Sequence, residues 1–212
     1  MSLPLNTTAA HPDDLSTVAR YHMIEQQIRP WDVSDSEVLD LLARLPREES
    51  VPAAYRGMAF MDMEIPLLGQ ADEALRLGHC MLAPRVEARL LQDLQVQPTD
   101  RVLEIGAGSG YMAALLAAQA KEVVTLEIVP ELAEMARENL LGAGITNAEV
   151  KLADGATAAA ALGQFDAIVL SGSVAQVPQA LLAQLNDGGR LAAIVGQLPM
   201  MRFTLVQKNG HQ

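Results

Sequence analysis

From Asp100 onward, short apolar runs alternate with helix-compatible stretches, and this alternation limits what the chain can fold into more than any other feature. Residues 101–105 (RVLEI), 122–128 (EVVTLEI), 148–152 (AEVKL), 166–170 (DAIVL) and 190–195 (RLAAIV) have the length and apolar character of buried strands. Between them, residues 111–121, 130–141, 156–162 and 177–185 read as helices. Pro130 and Pro178 sit where a first turn tolerates proline, and Gly142 and Gly188 sit where helices commonly end. Parallel strands need such crossovers, so the predicted fold class is α/β with a doubly wound, mostly parallel sheet. Only residues 197–200 separate the fifth run from another, 202–207, and so short a link permits only an antiparallel neighbour. Asn209–Gly210 then announces a hairpin turn, yet the sequence stops two residues later. The expectation is either a chain cut short or a sheet one strand short.

The first hundred residues have a different texture. Residues 1–13 lack periodicity and are expected to be a disordered tail. Residues 14–28 suit a helix that stops at Arg29–Pro30, because proline pushes the residue before it out of the helical region. Ser34 and Glu37 form a possible capping box for a helix whose Val38, Leu41, Leu42 and Leu45 share a face. Residues 46–83, punctuated by prolines and glycines, are predicted to be irregular, as functional lids and binding loops often are. Pro84 suits the first turn of a helix with Val86, Leu90, Leu91 and Leu94 on one face. The predicted organisation is a tail (1–13), an N-terminal helical cap with a substrate loop (14–99) and a ligand-binding α/β core (100–212).

Charge and cysteine content exclude several functions. With 26 acids against 15 bases the net charge is -11, so phosphate backbones and anionic membrane surfaces are repelled; neither nucleic acid nor membrane is an expected partner. The apolar runs are too short to span a bilayer, and no basic segment leads into an apolar one at the start. Cys80 is the one cysteine, and no Cys/His cluster has zinc-ligand spacing. A cytoplasmic protein without a metal is expected.

The sharpest local signal is Glu104-Ile105-Gly106-Ala107-Gly108-Ser109-Gly110, between a predicted strand and a predicted helix. Glycines there let the backbone turn tightly and let a ligand approach main-chain atoms that a β-carbon would block. Glu127 ends the next predicted strand 17 residues after Gly110, where a carboxylate can accept two hydrogen bonds from ribose hydroxyls. A nucleoside-containing cofactor at the carboxyl edge of the sheet follows. The dinucleotide fingerprint needs its third glycine at position 111, where Tyr111 stands, so the nicotinamide reading is weakened. An acid two residues before the first glycine also suits a ligand bearing an ammonium and a sulfonium better than a pyrophosphate.

EIGAGSGY, the acid in VTLEIVPELAEMARENL, Asp154–Gly155, FDAIVLSGS and VPQALLAQLNDGGRL resemble successive motifs of class I S-adenosylmethionine-dependent methyltransferases. More narrowly, with MIEQQIRPWDV, Val51–Pro52 to Tyr55 and Met63-Glu64-Ile65-Pro66, roughly residues 20–208 are similar to the protein-L-isoaspartate O-methyltransferase family. The resemblance implies a Rossmann-like fold, S-adenosylmethionine as cofactor, S-adenosylhomocysteine as product, and a carboxylate of a protein or peptide as methyl acceptor. It implies that Gly106, Ala107, Gly108 and Gly110 pass beneath the methionine part, with Glu104 orienting that loop. Glu127 would hold the ribose, Ile128 would pack on the adenine, and Asp154, followed by Gly155, would meet the adenine amino edge. Without a ligand, Glu127 is a strand-end acid and Asp154 a turn residue.

Family members that repair isoaspartate typically carry G-Q-T-[IM]-S-x-P before the helix that precedes the first strand of the core. Here that stretch is Gly78-His79-Cys80-Met81-Leu82-Ala83-Pro84, so Cys80 and Leu82 replace both hydroxyl residues that would bind the acceptor carboxylate. Transfer itself needs mainly alignment, and a carboxylate is already ionised near neutrality, so no general base is required. His79 is a candidate base for another acceptor, and Cys80 a weaker candidate nucleophile. Two alternatives to carboxylate methylation stay open: a relative that binds the cofactor without repairing isoaspartate, and a methyltransferase with another acceptor. A nicotinamide oxidoreductase ranks behind both. Trp31 is expected to anchor the N-terminal helices, and Met58, Met61 and Met63 to fill gaps.

Overall fold

A computed structural model describes residues 12–210 and begins with the helical cap. α1 (Pro12–Met23) continues through a π-helical turn (Ile24–Ile28) into a 3-10 turn (Arg29–Trp31) that holds Pro30. Pro12 and Asp13 already belong to this helix; the rest of the expected tail lies outside the described residues. α2 (Ser36–Arg44) is capped one residue later than expected. The Asp35 carboxylate, rather than the Ser34 hydroxyl, accepts from the Glu37 and Val38 amides, because an ionised acceptor best meets the positive end of the helix.

The segment expected to be irregular contains short elements instead. Two 3-10 turns (Arg47–Ser50 and Ala53–Met58) lead to β1 (Ile65–Pro66), then α3 (Ala71–Leu77), then β2 (Cys80–Met81), which pairs antiparallel with β1. α4 (Pro84–Leu94) follows with its proline in the first turn. None of these short pieces has enough length for a periodic pattern, so side chains from elsewhere hold them. Met61 and Met63 are exposed and fill no gap. Trp31 is half exposed and not part of the buried core; its ring lies under Arg85 at 4.1 Å and its carbonyl accepts from Arg89, both of α4.

The core is β3 (Arg101–Ile105), α5 (Tyr111–Ala117), β4 (Glu122–Glu127), α6 (Pro130–Gly142), β5 (Ala148–Leu152), α7 (Gly155–Ala158), β6 (Phe165–Val174), α8 (Gln179–Ala183), β7 (Leu185–Gln197) and β8 (Met200–Gln207). The sheet order is β5-β4-β3-β6-β7-β8, parallel throughout except for the last pair. Every expected strand is present. β6 and β7 are longer than their apolar runs: β6 gains Phe165 at its start and Ser171 to Val174 at its end, and β7 gains residues 185–189 and 196–197.

Alternation along each strand divides the interior into two layers. Val102, Val123, Ala167, Val169 and Ala192 pack with cap residues such as Met23, Ile28 and Leu42, and with Leu90, Leu91 and Leu94 of α4. Leu103, Val124, Leu126, Ile168, Leu170 and Leu191 pack with Leu181 of α8 on the opposite face. Glu104 stands two residues after Val102, so its side chain is on the cap face, near the end of its strand.

Candidate active site

β3 and β4 pair in register, with Glu104 opposite Thr125 and Ile105 opposite Leu126, so their carboxyl ends reach the same level. The chain must turn sharply off β3 to start α5. It does so with three glycines at positive φ, +93° at Gly106, +51° at Gly108 and +80° at Gly110, a region that costs other residues steric strain. At Gly110 the space is closed as well: a β-carbon would lie 3.0 Å from the Ala136 carbonyl oxygen of α6.

Glu127, at the tip of β4, ties this turn down. Its Oε2 accepts from the Gly108 amide at 2.9 Å and its Oε1 from the Val129 amide at 3.0 Å. Each carboxylate oxygen has a second lone pair, so these bonds orient the group without exhausting it. Ile128 beside it is 64% exposed, an unusual position for a β-branched side chain at a strand end. Asp154 accepts from the Ala156 amide and caps α7. Gly155 is pressed against Ile105; a β-carbon there would fall 2.5 Å from a methyl of that side chain.

Glu104 is fully buried. Its Oε1 accepts from the Ser171 hydroxyl at 2.6 Å, and its Oε2 has no hydrogen-bond partner in the protein. Burial pushes its carboxyl up to about 8; the hydroxyls of Ser171 and of Thr125, its neighbour on β4, pull the other way, while the charges of Glu87 and Glu127 add to the rise. Ser171 is on β6 where the register with β7 shifts between Val169 and Ser173, a bulge that re-aims side chains at the sheet edge.

One cavity of about 380 Å³ joins these groups. Its lining includes every residue expected to bind the cofactor except Gly110, which lies under the turn against α6 and lines a second cavity of about 270 Å³. The opposite wall is the stretch from Leu77 to Leu82, including His79 and Cys80. Burial, with the Glu64 charge adding, raises the Cys80 thiol to about 11, so it stays a neutral thiol near neutrality and is a poor nucleophile. Sequence reasoning missed three contributors. Ser171 is 67 residues from its partner Glu104, Ser173 lies in the same bulge, and Glu87 is a buried acid inside an otherwise amphipathic helix.

The residues fit an adenosyl sulfonium bearing an amino acid. The Glu104 oxygen without a hydrogen bond suits an ammonium, Gly106 and Gly108 line the cavity, and Glu127 is held at the neighbouring strand tip. A group of three or more potential metal ligands is absent among the described residues.

Known proteins point the same way. A solved protein-L-isoaspartate O-methyltransferase superimposes with a TM-score of 0.71 at 23% identity, covering 91% of this chain and 60% of that one. A Plasmodium falciparum structure described as a putative protein-L-isoaspartate O-methyltransferase in complex with S-adenosyl-L-homocysteine gives 0.70 at 19%, covering 91% and 89%. These likenesses establish the fold. The protein-L-isoaspartate O-methyltransferase of Koribacter versatilis is 38% identical over 201 residues, covering 94% of this chain and 87% of its own. That of Methanoculleus marisnigri is 40% identical over 177 residues, covering 84% and 77%. The family model described as protein-L-isoaspartate(D-aspartate) O-methyltransferase matches residues 19–212, which include every residue that lines the cavity, and the chain belongs to that family.

Proposed function

We propose that this protein uses S-adenosylmethionine to methylate a carboxylate on a protein or peptide, with isoaspartyl residues as the first candidates. The observation that carries the reading is the buried Glu104, with one oxygen that makes no hydrogen bond, in the wall of a cavity also lined by Glu127 and by residues 77–82, the acceptor loop of this reading. When bound, S-adenosylmethionine supplies a methyl group made electrophilic by the sulfonium. The protein's own residues bind and align. Glu104 would hold the ammonium, Gly106, Ala107 and Gly108 would bind the methionine part, and Glu127 would take the ribose hydroxyls, while Gly110 lets the turn close on α6. Ile128 would pack on the adenine, and Asp154 with Gly155 would meet its amino edge. A carboxylate acceptor needs no base, so His79 serves the acceptor by position, and Cys80 fills space as a thiol.

The loop without hydroxyls at Cys80 and Leu82 favours a second reading, cofactor binding without isoaspartate repair or with another acceptor. Methyl-labelled cofactor with an isoaspartyl peptide, then with lysate proteins and small acids, separates them. Label in the peptide supports the first reading; cofactor binding with label in none of them overturns it.

The net charge of -11 argues against nucleic acid as the partner. No helix among the described residues is long and apolar enough to cross a membrane. A single free cysteine, which can form no internal disulfide, fits a cytoplasmic setting.

A further inference from the structure

Arg47 is buried to 1% exposure, although it sits in a short 3-10 turn of the cap. Its Nε donates to the Ala59 carbonyl at 2.9 Å, and its Nη2 to the Leu82 carbonyl at 2.5 Å. Nη1 pairs with Glu87 of α4, itself 3% exposed, and the guanidinium carbon lies 5.3 Å from the centre of the Tyr111 ring. These partners are 12, 35, 40 and 64 residues away along the chain, the last being 111 minus 47. One planar fork therefore joins the turn after Met58, the acceptor loop, α4 and the first residue of α5. Only arginine has enough donors in a fixed plane to do this without moving.

Two of these partners bear on the cavity. Leu82 and Glu87 both line it, and Tyr111 immediately follows Gly110 at the end of the glycine turn. An in-line displacement depends steeply on alignment, and a shift of about 1 Å between acceptor and methyl group can cost about a hundredfold in rate. A staple that served stability alone could be placed anywhere under the cap. This one holds a carbonyl of the acceptor wall and stacks on the residue that closes the cofactor wall.

We propose that Arg47 is a positioning residue for methyl transfer, fixing the acceptor loop at a set spacing from the cofactor turn through the Leu82 carbonyl and the Tyr111 ring. The inference rests on the methyltransferase reading for its kinetic consequence. Its structural half, that Arg47 immobilises the loop, stands apart from that reading.

Two variants of the full chain test it. Arg47→Lys keeps a cation for Glu87 but cannot reach both carbonyls. The double variant Arg47→Met with Glu87→Met replaces the buried pair by apolar volume, which proteins often accept without loss of stability. In Arg47→Lys, which leaves Glu87 in the cavity wall untouched, S-adenosylhomocysteine affinity measured by calorimetry should stay within about threefold of the parent. In both variants the kcat for an isoaspartyl peptide, normalised to calorimetrically counted binding sites, should fall about tenfold to a hundredfold. Amides of residues 80–86 should exchange with deuterium at least about tenfold faster, while those of 106–111 in the ligand-bound protein should not change. Parental kcat and parental exchange in either folded variant would overturn the proposal. Loss of ligand affinity in Arg47→Lys in step with loop protection would also overturn it, because that pattern marks a general weakening of the fold. If the parent itself labels no acceptor, the methyltransferase reading fails, and the exchange rates still decide whether Arg47 holds the loop.

Discussion

Glu104 is the residue whose environment and expected role are most closely linked. The folded protein keeps its carboxyl protonated up to about 8, whereas an unfolded chain releases that proton near the ordinary value of 4.5. The stability contributed by this group is therefore fully present below about pH 4.5 and is lost as pH rises through about 8. Glu87, raised to about 7 by burial against the opposing pull of Arg47, adds a decline of the same sign. An incoming ammonium reverses the preference at Glu104 by favouring the anion. Below pH 8, S-adenosylhomocysteine binding should release up to one proton and tighten as pH rises, by at most about 1.4 kcal/mol per pH unit. Calorimetry in two buffers of different ionisation enthalpy would measure that proton, and Glu104→Gln should abolish both the release and the pH slope. The glycines and the two acids of this site were legible in the sequence because each answers to a local constraint, a turn or a strand end. Ser171, Glu87 and Arg47 were not, because their partners are brought to them by the fold from 67, 40 and 35 residues away.

The second half of the chain could be read element by element, and the first half could not. Strands β3, β4, β6 and β7 carry apolar runs that fill buried layers, and a one-residue slip would turn each run's side chains to the opposite face. Residues 46–83 offer no such signal. β1 and β2 pair over two residues each, and the 3-10 turns before them depend on contacts such as that of Arg47 with Ala59. The cap of α2 at Asp35 rather than Ser34 is a smaller case: both residue types suit the position, and the carboxylate's charge at the positive helix end favours Asp35. The joint between α5 and α6 yields a sharper expectation. Gly110→Ala must place its β-carbon 3.0 Å from the Ala136 carbonyl at a φ of +80°, so α5 has to move. A loss of about 1 to 3 kcal/mol is expected in chemical denaturation, together with weaker S-adenosylhomocysteine binding. An unchanged midpoint would mean that the two helices are not packed as described.

Across the molecule, the boundary drawn near residue 99 divides the topology more than the packing. Cap residues and sheet residues share one buried cluster, and Arg190 of β7 secures the junction. Its side chain donates to the Leu94 carbonyl at 2.9 Å and the Gln95 carbonyl at 2.6 Å, both at the end of α4, and to the Asp100 carboxylate at 2.7 Å. These contacts lie at the amino edge of the sheet, opposite the cavity. Arg190→Met should therefore lower unfolding free energy by about 2 to 4 kcal/mol while leaving S-adenosylhomocysteine affinity unchanged. A change in affinity without one in stability would show the two edges to be coupled. The bare side chain of Ile128 gives the molecule a built-in spectroscopic reporter. A purine laid against it would shift its δ1 methyl resonance through the ring current, while the isoleucines buried in the cap kept their frequencies, so a methyl-labelled sample would show directly where an aromatic base comes to rest.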